Sequence, residues 1–235
     1  MRLLCPLTIL VLIFYGQTLL ADVHFAISES LVQINGKSEI DNTNGNLTSL
    51  FSPGVQAVIL ANFSQKLKLN FSGTYLRPSF KAPSGRTLKK KEMSLSQYSA
   101  GPVFLLSPKS EMRLNLGFED YPYYKALTQN EIALDKNNGS FLALTYKYLL
   151  EDFFLSSWEI EGKIAAPLST DYDQGKPIYG IKLSSEKELK RNQFIYSAGG
   201  YISLQHIPMT KIIYNKTDMG IYFSVKIPLK TKNIL

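Results

Sequence analysis

Cysteine is almost absent from this chain of 235 residues: the single cysteine, Cys5, lies in the apolar N-terminal segment. An exported protein without further cysteine cannot depend on disulfide bonds, so another feature must stabilise it. Histidine is also scarce, with two residues in the whole chain. No glycine-rich phosphate loop, Cys-x-x-Cys pair or metal-ligand cluster occurs, so the sequence predicts no metal ion and no other cofactor.

Long apolar runs are missing too, apart from one at the N-terminus. Arg2 precedes the run LLCPLTILVLIFY (3–15), which is followed by GQTLLA (16–21). A positive residue, a short apolar core and a small final residue predict a secretory signal peptide over 1–21, cleaved after Ala21. The alternative is an uncleaved anchor, although GQT (16–18) interrupts the apolar run. The predicted mature domain covers 22–235, and removal of Arg2 lowers the formal net charge from +7 to +6.

No helical period of useful length appears, and period-two alternation takes its place. In KLKLNFSGTYL (66–76), apolar residues or glycine alternate with Lys68, Asn70, Ser72 and Thr74. A strand of a soluble protein averages about five or six residues. A strand that crosses the outer membrane needs about nine to eleven. The length of this alternation therefore favours a membrane-spanning strand.

The same alternation recurs along the chain and predicts ten strands. Six segments are strongly patterned and four are weaker; in order along the chain they are 22–34, 53–63, 66–78, 94–107, 112–119, 140–150, 157–164, 177–185, 192–204 and 220–229. The segments between them alternate strictly in length. The long ones are roughly 35–52, 79–93, 120–138, 167–176 and 206–218, and the short ones lie near 64–65, 107–111, 151–152 and 185–192.

This pattern predicts an all-β fold: a single closed, antiparallel transmembrane β-barrel of about ten strands, within a range of eight to twelve. Short turns would face the periplasm and long loops the outside, as in outer-membrane barrels. The bilayer offers no water to satisfy backbone groups, so only a closed sheet can span it. The segment YYKALTQNEIALD (123–135) is interpreted as a short helix on the third long loop.

The charged residues of the strands share the polar faces. If the apolar faces form the exterior, nine of these charged residues lie inside the barrel. A lysine or arginine that faced lipid at the bilayer midplane would cost about 2–4 kcal/mol, and an inward position avoids that cost. Two interpretations stay open, a packed polar plug and a narrow passive pore; a barrel of ten strands favours the plug. The predicted lumen charges are Lys68, Arg113, Glu119, Lys147, Glu159, Glu161, Lys163, Lys182 and Lys226.

The segment DMGIYFSV (218–225) resembles the C-terminal assembly signal of Gram-negative outer-membrane β-barrel proteins. The matching residues are Asp218, Gly220, Phe223 and Val225. Many such proteins end on an aromatic residue, whereas this chain continues to Leu235. The resemblance implies location in the outer membrane and recognition by the barrel-assembly machinery through strand addition. It extends over the whole chain as a general class, without a specific subfamily.

A catalytic site is a weaker prediction. The segment TDYDQG resembles the paired aspartates at the rim of omptin proteases, with Asp171 and Asp173 as candidates and His206 as a partner. Leu204 stands where the omptin pattern would place an aspartate before the histidine. We therefore expect a protein that is not an enzyme. The alternatives are a rim hydrolase, omptin-like or lipid-modifying, and a soluble secreted β-sandwich or lipocalin-like binding protein.

The remaining prediction concerns partners. TLKKKE (87–92) is a basic run on the second long loop. Such a run is either a solvated loop or a contact with lipopolysaccharide phosphates through point charges. The expected function is structural or surface-interaction, with the narrow pore left open. The expected partners are outer-membrane lipid, lipopolysaccharide and the assembly machinery, without nucleic acid. The oligomeric state is left open.

Overall fold

A computed structural model describes residues 22–40, 43–128, 130–150, 156–169, 175–191, 194–208 and 213–229. The predicted signal peptide, 1–21, lies outside these residues. The described residues form twelve strands: β1 (Asp22–Ile40), β2 (Thr43–Thr48), β3 (Ser52–Asn62), β4 (Leu67–Leu76), β5 (Thr87–Leu88), β6 (Leu95–Ser107), β7 (Ser110–Ala126), β8 (Glu131–Leu149), β9 (Ser157–Pro167), β10 (Ile178–Arg191), β11 (Phe194–Pro208) and β12 (Ile213–Leu229).

Ten of the strands form a closed antiparallel barrel. Their order around the ring is β1-β3-β4-β6-β7-β8-β9-β10-β11-β12, and β12 pairs with β1 to close it. The closing seam extends in one register from Val23 opposite Leu229 to Ser38 opposite Tyr214. The predicted fold, a barrel of about ten strands, is thus confirmed. Within the described residues, no helix is long and apolar enough to cross a membrane.

Side chains alternate between the two faces of the wall, as the sequence predicts. Leu114, Leu144, Ile164 and Tyr179 lie side by side on four neighbouring strands, and each is more than 40% exposed on the outer surface. Their chain neighbours point inward, where Thr145 is buried. Apolar residues therefore cover the outside of the wall, as in a barrel that faces lipid.

Glycines on the inner face make room for aromatic rings of the adjacent strand. A Cβ atom added to Gly117 would lie 2.4 Å from Cζ of Phe141, and one added to Gly199 would lie 2.7 Å from Oη of Tyr222. Any larger residue at these positions would push the ring away. At these two places a large interior side chain stands beside a glycine.

Several strands extend beyond the barrel at the long-loop end, and here the sequence predictions need correction. The segment 123–135 is not a helix: β7 runs to Ala126 and β8 begins at Glu131, so the two form a long hairpin. The interpretation of 35–52 as a loop was wrong, because β1 continues to Ile40 and pairs with β2. Likewise, β10 continues through most of the predicted turn 185–192, and β12 begins within 206–218. Cross-strand hydrogen bonding outweighs local helix propensity here.

One long loop folds across the mouth of the barrel. We call residues 77–94, which join β4 to β6 and include β5, the lid. The amide of Lys81 donates to the carbonyl of Thr48 on β2 (2.9 Å), and the amide of Thr87 donates to the carbonyl of Asn130, just before β8 (2.8 Å). β2 pairs with β1, and β1 and β8 stand five places apart in the ring of ten. The lid therefore reaches opposite sides of the mouth.

Candidate functional site

The outer part of the barrel interior is an apolar cluster, which we call the cap. Phe80, Leu88 and Met93 come from the lid and insert between side chains of the wall. Phe80 is 2% exposed, and burial of such a side chain contributes roughly 1.5–3 kcal/mol. The full set is Val32, Ile34, Leu47, Phe80, Leu88, Met93, Leu95, Tyr124, Ile132 and Leu134. These buried apolar side chains lie across the mouth of the barrel.

Tyr124 ties the cap to the lid. Its hydroxyl donates a hydrogen bond of 2.6 Å to the carbonyl oxygen of Lys81. Burial raises the pKa of Tyr124 to about 12, from an ordinary value of 10. The phenol is therefore neutral at physiological pH and remains a donor.

A second apolar cluster lies on the inner face of β7 to β11. It includes Tyr121 and Phe141, both almost completely buried, and Ile178 and Ile207, which have no exposed surface. With Ala165 on β9, the cluster draws on five consecutive strands of the ring. The cluster therefore fills this side of the barrel interior.

Beside the second cluster lies a layer of buried charges, which we call the ionic layer. The Lys216 ammonium lies 2.8 Å from Oε1 of Glu119 and 2.9 Å from Oδ2 of Asp218. The hydroxyl of Tyr121 donates to the other oxygen of Glu119 (3.3 Å). Lys163 stands over the ring of Phe141, 4.1 Å from its centroid. Buried charges are tolerated only when paired in this way.

The cavity beside the ionic layer is very small. It holds about 20 Å³ next to Glu119 and Lys216, and a single water molecule needs about 10–15 Å³. The space can therefore hold about one water molecule. Little free volume remains between the side chains that line this cavity.

Toward the short turns, the interior carries a second set of charges, and these are partly exposed. Lys147 pairs with Glu159 at 2.7 Å, and Lys226 pairs with Glu186 at 3.2 Å and Glu188 at 2.6 Å. Arg113 pairs with Glu111 and approaches Glu161 to 3.9 Å. The side chains of these pairs are 19–38% exposed, so water reaches them from the short-turn end.

Eight of the nine predicted lumen charges make such interior contacts: Arg113, Glu119, Lys147, Glu159, Glu161, Lys163, Lys182 and Lys226. The ninth, Lys68, lies opposite Val103 and has no ion pair among the described residues. Their functional role stays a prediction.

Sequence reasoning missed four charges that complete the interior pairs: Glu111, Glu186, Glu188 and Lys216. Each falls in a segment that the sequence pattern predicts to be a turn or a loop. The signal that could have found them is the period-two alternation itself, which continues from the predicted strands into these segments. Lys216, for example, is two residues before Asp218 and shares its face.

The predicted catalytic residues are not brought together within the described part of the chain. His206 lies on the outer face, with its ring stacked on Tyr179 at 4.7 Å and Nδ1 2.7 Å from Oδ1 of Asn215. Asp171 and Asp173 lie outside the described residues. Where the chain is described, no cluster of metal-ligating side chains occurs either.

The predicted assembly signal lies on β12, which pairs with β1 and β11. Phe223 is 65% exposed on the outer face, whereas the carboxylate of Asp218 points inward to Lys216. A Cβ added to Gly220 would lie 2.8 Å from the Leu31 carbonyl, so this strand packs closely on its neighbour. Recognition by the assembly machinery stays a prediction.

Comparisons with known proteins add a likeness of fold. No protein-family model and no curated protein matches this sequence. Among solved structures, the outer membrane protease OmpT from Escherichia coli has a TM-score of 0.49 and 9% identity, covering 88% of this chain and 97% of that one. An outer membrane channel from Pseudomonas putida F1 has a TM-score of 0.47 and 9% identity, covering 89% and 96%.

The translocator domain of the autotransporter NalP from Neisseria meningitidis has a TM-score of 0.48 and 8% identity, covering 94% of each chain. The three proteins have different activities, so their likeness to this chain concerns architecture alone. What this chain does has to be argued from its own interior and surfaces.

Proposed function

We propose that this protein, an integral β-barrel of the outer membrane, is a closed barrel that conducts no solute and serves a structural or surface-interaction role. The observation that carries the proposal is the cap: lid residues insert into the outer mouth and bury Phe80 and Leu88 against the wall. An apolar closure of this kind offers an ion no group that could replace its hydration shell.

The ionic layer supports the same conclusion at a second level. An open passage would have to separate Lys216 from Glu119 and Asp218, which would leave buried charges without partners. Barrels of about eight strands have interiors filled by side chains, and aqueous channels appear at about sixteen. Two different barriers in series favour the plug over the narrow pore.

The lid supports a role at the outer surface. It carries six of the chain's 26 cationic residues and one acidic residue, Glu92, so its formal net charge is +5. Its backbone is fixed by hydrogen bonds to β2 and β8, and its exposed lysines are therefore held on a defined surface. A fixed, charged outer surface suits binding of anionic partners.

A conductance measurement tests the proposal. Purified protein is inserted into a planar bilayer, and insertion is verified in parallel by heat-modifiable gel mobility of protein recovered from the same lipid. We expect no current steps, whereas a porin added to the same bilayer gives them. Steady steps from the folded protein, absent after heat unfolding, would overturn the proposal.

We further propose that the protein is not an enzyme. The support is the position of His206, whose ring stacks on Tyr179 at the outer face and contacts an amide rather than a carboxylate. The test is a screen of peptide and lipid substrates with wild type and with Asp171→Asn, Asp173→Asn and His206→Gln. Turnover that the substitutions abolish would establish the rim hydrolase instead.

A further inference from the structure

An acidic side chain, Glu29 on β1, is exposed on the apolar outer face of the wall. Ile27 and Leu31, two positions away on either side along the strand, are each 45% exposed on the same face. Directly opposite Glu29 stand Phe223 on β12 and Val55 on β3, which are 65% and 49% exposed. Apolar side chains that face lipid therefore surround Glu29 on four sides.

Glu29 lies at the centre of the apolar band rather than at its edge. Its neighbour Phe223 is the middle one of five apolar residues that alternate along β12: Met219, Ile221, Phe223, Val225 and Ile227. Among the described residues, Glu29 has no hydrogen bond and no ion pair. A carboxyl group that faces hydrocarbon without a hydrogen-bonding partner is unfavourable. A single barrel therefore leaves Glu29 without the partner that its apolar surroundings require.

The wall has opposite shapes on the two sides of Glu29. On β12, the ring of Phe223 projects outward and is 65% exposed. On β3, an apolar trough of about 660 Å³ begins at Ala57 and continues over Gly73, which lies opposite Ala57 on β4. Phe223 is six residues and Ala57 five residues from the short-turn end of its strand. Because β12 and β3 are the two neighbours of β1, a projection and a depression flank Glu29 at about the same depth.

This arrangement is complementary to itself. A two-fold axis along the bilayer normal brings every residue of a second copy to the same depth as in the first. With the axis beside β1, the two Glu29 carboxyl groups face each other, and each Phe223 projects onto Ala57 of the other copy. Facing carboxyl groups hydrogen-bond to each other when they share a proton. An acyl chain would fill the trough but offers no hydrogen bond, so a second copy is the occupant that satisfies both features.

We propose that this wall is a dimerisation surface: two copies of the chain associate within the membrane through β12, β1 and β3, and their Glu29 carboxyl groups hydrogen-bond to each other. The inference goes beyond the closed barrel, because it concerns the outer wall and leaves the interior unchanged. The tests of conductance and of dimerisation therefore succeed or fail independently.

The test is sedimentation equilibrium of the full mature protein in density-matched detergent micelles, where we expect a monomer–dimer equilibrium. Glu29→Leu should weaken dimerisation by about tenfold, whereas Glu29→Gln should retain it, because amide side chains also hydrogen-bond to each other. The control is Ser185→Leu, which removes an outward polar side chain three strands away on β10. A monomer at every concentration, or equal affinity of wild type and Glu29→Leu, would overturn the proposal.

Cross-linking in lipid vesicles localises the surface, since the predicted mature chain contains no cysteine of its own. Leu31→Cys lies on β1 beside Glu29, and Leu144→Cys lies on β8, on the opposite side of the ring. A short bifunctional maleimide should join two copies of the Leu31→Cys protein and leave the Leu144→Cys protein monomeric on a denaturing gel. Equal cross-linking of both variants would show random collision and would contradict a surface at β1.

The two-fold arrangement is tested by exchanging projection and depression. Ala57→Phe blocks the place of the other copy's ring and Phe223→Ala removes that ring, so each should weaken dimerisation severalfold. The two substitutions together should restore much of the affinity, because the axis then pairs the new ring with the new gap.

The control for the exchange is Ala166→Phe, on the exposed outer face of β9, which should leave dimerisation unchanged. Heat-modifiable gel mobility verifies folding of each variant, and Phe223→Leu replaces Phe223→Ala if that variant does not fold. A folded double variant that dimerises no more tightly than either single variant would refute the two-fold pairing.

Discussion

The two ends of the barrel interior differ in the side chains that fill them. At the outer end, lid and wall meet through apolar side chains that exclude water, as at Phe80 and Ile34. At the periplasmic end, paired charges such as Lys147 and Glu159 remain in contact with water. The ionic layer around Lys216 separates the two regions. Buried apolar side chains therefore occupy the outer end, whereas the charged side chains at the other end are in contact with water.

The substitution with the largest expected effect disrupts the ionic layer between the two regions. Lys216→Met removes the partner of two buried carboxylates, Glu119 and Asp218, and should lower the free energy of unfolding by about 3–5 kcal/mol. Urea unfolding of the barrel in lipid vesicles measures it. Adding Glu119→Leu and Asp218→Asn to the same chain should recover part of the loss, because neither carboxylate is then left without Lys216, although Lys163 loses the nearby charge of Glu119. A loss below about 1 kcal/mol for Lys216→Met would contradict a sealed ionic layer.

The second prediction concerns the apolar cap at the outer end of the interior. Phe80→Ala leaves a cavity in the cap and should cost about 3–5 kcal/mol, as judged by unfolding of the lid against denaturant. Phe51→Ala is the matched control, because Phe51 is 58% exposed and should cost much less. Equal effects of the two substitutions would mean that the cap is not packed as described.

The third prediction concerns the partly exposed ion pairs near the short turns. Lys226→Gln removes a cation that pairs with Glu186 and Glu188, all of them partly exposed. Because such pairs contribute little, we expect a loss of up to about 1 kcal/mol, which shrinks as salt is added. Unfolding at low and high ionic strength measures it. A large loss of unfolding free energy that does not depend on salt would show that water does not reach this network.

The smallest expected effect is a dependence on alkaline pH. The pKa of Tyr124 is raised by burial, so its contribution to the cap is complete below pH 10 and is lost as pH rises through about 12. Ultraviolet titration of the phenolate, compared between wild type and Tyr124→Phe, should assign one tyrosine to this late transition. Titration of that tyrosine at pH 10 would show that the cap admits water.

Much of this architecture can be predicted from the sequence. The period-two pattern predicts the barrel, a strand number of about ten and the outward position of Leu114 and Ile160, because alternation depends only on the chain itself. The crossing of the lid is not predictable in this way, since the contact between Lys81 and Tyr124 joins residues 43 positions apart. The hairpin within 123–135 is missed for a related reason: its residues favour a helix locally, and cross-strand pairing decides otherwise.

Differential accessibility of introduced cysteines tests the central claim most directly, since the predicted mature chain contains no cysteine of its own. Leu95→Cys lies in the cap and Glu188→Cys lies at the periplasmic end of the interior. A water-soluble thiol reagent should modify Glu188→Cys quickly in the folded barrel and leave Leu95→Cys unmodified until the protein is unfolded. Rapid modification of Leu95→Cys in the folded protein would contradict a closed mouth.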